Sequence, residues 1–384
     1  MNSYDAIVVG AGPAGSTCAK HLNAAGMQVL LLDKKVFPRV KPCAGWVTPQ
    51  VIEALDIDID HYRRENTFQP ITGFFTGIIG RRMIETHFPQ PVSYGIRRIE
   101  FDNYLLRGSG VPCAHHPVKQ IVRKNNRWQI DRMYNASLLI GAGGHFCPVA
   151  RMARKMADSV ESSNGASRRR PTPSSIVVYA QEIEFEISSQ QVTTRVRPEI
   201  PELYFCDDLQ GYGWCFRKGD FLNVGLGRAS KAHLSSHVRE FWNFLQSRNR
   251  VSGEMPPHFL GHAYRLYADR KPKLYDKGLL LIGDAAGLAY PQSGEGIRPA
   301  IESAMIAADV AAAGDGDFRP ESLVAYEHRL VERLGPVKSS QVVAWLPTAW
   351  LQQMATQLMA TKWFAKKVVV ENWFLHRRQG TLKI

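Results

Sequence analysis

The tightest constraint on this chain lies at its start, where an aliphatic run breaks into three glycines at fixed spacing. Ala6-Ile7-Val8-Val9 reads as a buried parallel strand, and Gly10, Gly12 and Gly15 follow it as GxGxxG. Ser16 to Ala25 read as a helix ended by Gly26, Gln28 to Leu32 as a second strand, and Asp33 closes that strand eighteen positions after Gly15. This is the layout of a dinucleotide-binding βαβ unit. Gly10 permits the tight strand-to-helix turn, Gly12 lets backbone approach a pyrophosphate, and Gly15 lets the helix lie close to the sheet. Amides at the helix start face the anion. Asp33 can accept both hydroxyls of an adenosine ribose, and its charge disfavours a 2′-phosphate.

That half-site suits FAD and a nicotinamide dinucleotide alike. A second glycine-rich segment separates them. Leu279 to Ile282 reads as a buried strand running into Gly283-Asp284, and Gly294-Glu295-Gly296 opens a small-residue helix from Ile297 to about Ala313. The positive end of such a helix stabilises negative charge at the N1–C2=O edge of a reduced flavin. Asp284 can accept from a polyol hydroxyl, which a nicotinamide dehydrogenase does not need so far downstream. FAD is therefore the expected cofactor. A second α/β crossover with no ligand is the plainer alternative.

The 384 residues carry a formal charge of +13, which favours anionic partners. No zinc-finger spacing, RNP-like aromatic strand or basic helix-turn-helix accompanies that charge, so nucleic acid is not expected. Six cysteines occur without a CxxC pair and no secretory signal precedes them, so a reduced, cytoplasmic setting is expected. The histidines are scattered, so no metal site is expected. No apolar run is long enough to span a bilayer, which leaves attachment to a membrane surface open.

The set GAGPAG at 10–15, Asp33, RRIEFD at 97–102, GAGG at 141–144 and GDAAG at 283–287 resembles the FAD-dependent group of aromatic hydroxylases, flavin-dependent halogenases, lycopene cyclases and geranylgeranyl reductases. The resemblance implies that Arg98 approaches the cofactor and that Asp284 contacts its ribityl region. In LLIGAGGHFCPVAR at 138–151, Gly143 stands where the group usually has Asp, and Pro148 where serine is common. KPCAGWVTP at 41–49 resembles the KxCGG element of the geranylgeranyl reductase branch, with Ala44 at its first glycine. In that branch the cysteine lies beside the isoalloxazine or substrate. Cys43 either shapes that cavity or is simply a small packed residue. GYGWCFRKGDFLNVGLG at 211–227 resembles the reductase element YxWxFP followed by GxG, with Arg217 in place of the proline. Alternation puts Tyr212, Trp214 and Phe216 on one strand face, walling an apolar substrate or packing on core helices. The halogenase pattern fits less well, and neither Lys41 nor Lys218 sits in the setting of its catalytic lysine.

The expected fold is α/β: a Rossmann-type FAD-binding domain assembled from residues 1–65, 96–157 and 275–320, with an inserted antiparallel-sheet substrate domain of 66–95 and 176–274. A polar loop is expected at 158–175 and a helical C-terminal region at 321–384, interrupted at Leu346-Pro347. Within the insert, 67–78 and 80–88 read as paired strands and VTTRVRP as another. Arg168-Arg169-Arg170 reads as a solvated basic stretch or an anion-steering one. The tail aromatics at 363–364 and 373–374 beside Lys366, Lys367, Arg377 and Arg378 suit a lipid interface, a lid or core packing.

The expected reaction is hydride transfer from reduced FAD to an unsaturated apolar or isoprenoid-like small molecule, with Cys43, Tyr212 and Trp214 on the substrate side and Tyr212 or His145 as proton source. With one GxGxxG only, NADH or NADPH visits transiently, or an electron-donor protein delivers the electrons. The alternatives are an FAD monooxygenase of an aromatic or polyketide-like substrate, and a flavoprotein that matures a partner protein.

Overall fold

The computed structural model describes residues 1–163, 176–190, 192–267, 273–336 and 348–384. Arg168-Arg169-Arg170 and Leu346-Pro347 lie outside them. The fold is the expected α/β one, a Rossmann-type domain carrying an inserted sheet. The strand Asn2–Val9 is central, pairing in parallel with Val29–Asp33 on one side and Tyr134–Gly141 on the other. Ala6 to Val9 and all of Val29–Asp33 are buried, as helix-covered parallel strands must be. Leu279–Leu281 extends the sheet in parallel beside Tyr134–Gly141, so the two glycine-rich segments leave the same sheet on either side of that strand.

Two helices follow those strands. Pro13–Ala24 starts at Gly12, and Ile297–Ala313 starts at Gly296. They pack along each other, which the alanines of the second helix allow. Gly15 fixes the first helix on its strand, because a Cβ there would lie 1.7 Å from the Gly10 carbonyl oxygen. Gly10 itself has φ of +111°, open to glycine but costly for any other residue.

Among the described residues, the insert is a seven-stranded sheet in the order Leu260–Arg265, Val177–Glu186, Phe221–Arg228, Gly211–Lys218, Glu202–Phe205, Gly73–Ile78 and Met83–His87. All its ladders are antiparallel except Glu202–Phe205 against Gly73–Ile78, which is parallel. Those two strands come from remote segments, so no hairpin dictates their sense. Three details differ from the sequence expectation. Residues 67–78 divide: Phe68–Ile71 pairs with Ser93–Ile96 in a small separate sheet, and only Gly73–Ile78 pairs with Met83–His87. VTTRVRP yields only the two-residue strand Thr193–Thr194, because the Thr194 hydroxyl accepts the Val196 amide and turns the chain. The helix Pro148–Ser163 runs into the stretch expected as a loop, since neither Gly nor Pro interrupts it before Gly165.

The tail divides its aromatics. Phe374 is buried against Trp46, at 5.2 Å between ring centroids, whereas Trp363 is 68% exposed. Among the described residues no helix is long and apolar enough to cross a membrane. Substituting Gly15→Ala forces a side-chain atom into the Gly10 carbonyl and is expected to cost at least about 3 kcal/mol. Gly261→Ala, where a Cβ meets nothing within 4 Å, should change stability by less than about 0.5 kcal/mol. Urea denaturation of the two variants measures the contrast.

Candidate functional site

A cleft of about 450 Å³ runs between the parallel sheet and the inserted one. Gly10, Gly12 and Asp33 line one end, and Asp284, Gly294 and Gly296 line another stretch. Cys43, Arg98, Tyr212 and Trp214 line it as well. The structure thus gathers ten of the residues singled out in the sequence around one cavity. Gly15 and Gly283 stand behind the wall, where they allow close packing: a Cβ on Gly283 would approach Ala14 and Ala300 at 3.1 and 3.2 Å.

The first end is built from backbone. Gly12 provides no side-chain cap, so the first-turn amides of Pro13–Ala24 keep free valence toward the cleft. Asp33 accepts the Ala11 amide at 2.8 Å and the Lys35 amide at 2.9 Å, one on each carboxylate oxygen. The loop after Tyr134–Gly141 abuts this turn, with the Ala142 carbonyl where a Gly10 side chain would be.

Arg98 is not a free cation in the cleft. It forms a bidentate pair with Asp102 one helical turn on, at 2.7 and 2.9 Å, and Asp102 is wholly buried. Burial opposes the charge on Arg98, but Asp102 and the nearby Cys43 sulfur raise its affinity for the proton above the ordinary value. Arg39 Nη1 lies 3.1 Å from Asp102 Oδ2 without hydrogen-bond geometry, a buried donor left over beside Gly12.

Three side chains from remote segments meet at the second stretch. Lys41 Nζ stands 2.9 Å from the His262 ring nitrogens, and His262 Nε2 is 3.6 Å from Asp284 Oδ2. Burial, with Arg98 adding to it, pushes the Lys41 ammonium down to about 8. Burial and Lys41 also lower His262. Burial opposes the charge of Asp284, yet His262, Lys41 and Arg98 hold its carboxyl below the usual range. Beside this group, Glu295 is pushed up to about 7 by burial, with Arg298 pulling the other way, and its Oε2 has no hydrogen-bond partner.

The third stretch is aromatic. Trp46 stacks on Phe216 at 5.3 Å between centroids, and Trp214 donates its indole N–H to Asn223 at 2.7 Å. The Tyr212 hydroxyl donates to the Ser293 carbonyl at 2.5 Å, which ties the inserted sheet to the loop before Gly294. Burial pushes that phenol up, so Tyr212 is a poor proton source while this bond stands. Cys43 is a free thiol whose backbone is gripped from both sides: its amide donates to Glu182 Oε1 at 2.5 Å and its carbonyl accepts from Asn223 at 3.3 Å.

Glu182 and His262 escaped the sequence reading. Residues 176–187 alternate glutamates with Ile183 and Phe185, which reads as a strand of the inserted sheet and singles out no acid. In the structure the helix Leu234–Ser247 covers the Phe185 side, and the glutamate face turns into the molecule. The signal available was the spacing that puts Glu182 on the same face as Ala180.

Residues 3–107 match the family described as FAD binding domain. The digeranylgeranylglycerophospholipid reductase of Methanocaldococcus jannaschii is 27% identical over 345 residues, covering 86% of this chain and 83% of that protein. The geranylgeranyl diphosphate reductase of Rhodobacter capsulatus is 27% identical over 334 residues, covering 83% of this chain and 78% of the relative.

This chain is an FAD-dependent oxidoreductase.

The fold of the oxidoreductase matches a geranylgeranyl bacteriochlorophyll reductase-like protein from Thermoplasma acidophilum, with a TM-score of 0.74, 20% identity and 98% of each chain covered. It also matches a flavin-dependent brominase, with a TM-score of 0.64, 16% identity, and coverage of 98% of this chain and 100% of the other.

The buried Glu295 carboxyl gives the flavoprotein a pH signature. A carboxyl whose folded value lies near 7, above the 4.5 of its ordinary state, holds its proton in the native protein after the unfolded chain has released it. Its contribution is fully present below about 4.5 and lost as pH rises toward 7. Glu295→Gln should therefore flatten the fall in stability across that window, as read by urea titrations at a series of pH values.

Proposed function

We propose that this flavoprotein reduces carbon–carbon double bonds of a long apolar, isoprenoid-like small molecule, using electrons from NADH or NADPH. One observation carries the reading: a single cleft joins a dinucleotide-type turn, a second helix N-terminus and an apolar aromatic end of Trp46, Trp214 and Phe216. The named activities of the relatives, geranylgeranyl diphosphate reductase and digeranylgeranylglycerophospholipid reductase, act on substrates of that chemistry.

The residues present suit FAD. Gly12 offers a helix N-terminus and Arg39 a buried donor without a hydrogen-bond partner, a fit for pyrophosphate. Asp33 keeps lone pairs for the ribose, Asp284 for the ribityl hydroxyls, and Gly294 and Gly296 leave backbone bare at the start of Ile297–Ala313. Arg98, held rigid by Asp102, supplies fixed positive charge along the cleft. Bound and reduced, FAD supplies the hydride. The chain orients the alkene: Trp214 is locked through Asn223, and the same Asn223 holds the Cys43 loop against the cavity. Reduction by a visiting nicotinamide fits a chain with one GxGxxG. Exposed Trp363, with Lys362, Lys366 and Lys367 near it in sequence, suits a protein of the cytoplasm that touches a lipid surface to reach such a substrate.

Anaerobic stopped-flow absorbance tests this function. NADH or NADPH should bleach the bound flavin, and geranylgeranyl diphosphate or a digeranylgeranylglycerophospholipid should restore its oxidised spectrum, with alkene saturation seen by mass spectrometry. Product that forms only with oxygen assigns a monooxygenase instead. Ala180→Phe, which intrudes on the cleft, should lower kcat/KM for the alkene by about 10-fold or more while flavin reduction stays within about twofold.

A further inference from the structure

We propose that Glu182 is the acid that protonates the substrate double bond, resupplied from a second cavity behind it. The inference rests on the alkene-reducing reading above. Glu182 sits inside the inserted sheet, its backbone flanked by Gly225 on one strand and Leu260 on another. The residue is only 5% exposed. One oxygen accepts the Cys43 amide, and the other, Oε2, is buried without a hydrogen-bond partner. A buried oxygen left bare in this way costs stability unless a ligand or a proton occupies it.

The side chain stands on a partition. It lines the main cleft and also a second cavity of about 440 Å³, which reaches the surface at the exposed Pro257, His258 and Leu260. Gly225 sets its neighbour: a Cβ there would lie 2.7 Å from Glu182 Cβ and 2.3 Å from the Trp214 ring, so both side chains crowd the space that the glycine leaves. The residue thus stands between the aromatic wall of the cleft and the second cavity.

The charged groups around it are committed elsewhere. Lys218 pairs with Glu184 at 2.7 Å, and Arg97 pairs with Glu184 and Glu100 at 3.0 and 2.8 Å. Arg98 is taken by Asp102, Lys41 lies against His262, and His258 is out on the rim. No cation bonds Glu182 directly among the described residues. Burial pushes its carboxyl up to about 7, with Lys218 working against that and Glu184 adding to it. Near neutral pH the group can therefore both hold a proton and release one. Tyr212, the rival donor, has its hydrogen engaged with Ser293.

The step balances. Bound, reduced FAD would supply a hydride whose electron pair forms the C–H bond at one alkene carbon. The π pair takes the proton from the Glu182 O–H bond and forms the C–H bond at the other carbon. The carboxylate left behind regains a proton from solvent through the second cavity.

Single-turnover flavin reoxidation tests the role in the holo-protein, reduced anaerobically with NADPH or dithionite and mixed with geranylgeranyl diphosphate. E182Q should reoxidise about 100-fold more slowly and lose the pH dependence near neutrality, with flavin reduction unchanged. E182D, which keeps an acid, should recover part of the rate and the pH dependence. Infrared difference spectra of the holo-protein across neutral pH, taken in an E295Q background that silences the other raised carboxyl, should show a titrating buried carboxylic acid with Glu182 and with E182D, absent with E182Q. If E182Q retains the wild-type rate, or is slow with the wild-type pH profile, Glu182 only positions the Cys43 loop and the acid role is overturned. E295Q protein without the infrared band overturns it too, whatever the Glu182 variants do. Reduced wild type that no polyprenyl compound reoxidises removes the alkene reading, and the acid role falls with it.

Discussion

The close seat of one helix on one strand underlies everything else in this molecule. Gly15 brings the helix Pro13–Ala24 onto the Gly10 carbonyl, and the Ala-rich helix Ile297–Ala313 then packs along it. Because the strands before both helices lie in one sheet with a single strand between them, their N-termini open on one cleft. Oriented backbone amides at two points along a cavity give an anionic cofactor two places to settle, with Arg39 beside the first. A larger residue at Gly15 would tilt the first helix and separate the two ends.

The inserted sheet completes the cavity and imposes an electrostatic problem, since it turns glutamates inward. Most buried charges are answered locally. Asp102 has Arg98 and Arg39, Glu184 has Lys218 and Arg97, and Glu302 has Arg298 and Arg333. Removing one member of such a pair costs far more than the pair itself contributes, so these groups are held in place by one another. Glu182 and Glu295 differ: each has a buried oxygen with no hydrogen-bond partner, and burial lifts both carboxyls toward neutrality. A site that stores a proton at physiological pH needs this imbalance, which a fully paired network would abolish.

The C-terminal segment closes the assembly. Arg298 and Arg333 both donate to the Gly380 carbonyl, which draws the end of the chain over the start of Ile297–Ala313. Phe374 reaches back to Trp46 and Tyr212, so the last helical turns buttress the aromatic end of the cleft. Trp363, a few residues earlier, stays exposed. A stretch that reads uniformly as aromatic and basic thus serves two surfaces.

What the sequence determined by itself is local. The strand–turn–helix around Gly10, Gly12 and Gly15, the acid at Asp33, the second glycine-rich turn and the aromatic alternation at 212–216 depend on spacing within a few residues, where periodicity and steric necessity leave few options. The FAD chemistry and the α/β class followed from those. Only the tertiary structure decided which faces looked inward. The glutamates of Val177–Glu186 alternate like a solvated face, and nothing nearby in sequence says that a helix from 234–247 covers the opposite side. Likewise Lys41 and Asp284 belong to motifs far apart in the chain and His262 to none, yet the three meet because the two sheets pack against each other. Burial and long-range pairing set the charge state of such groups, and both are properties of the packed whole rather than of any segment.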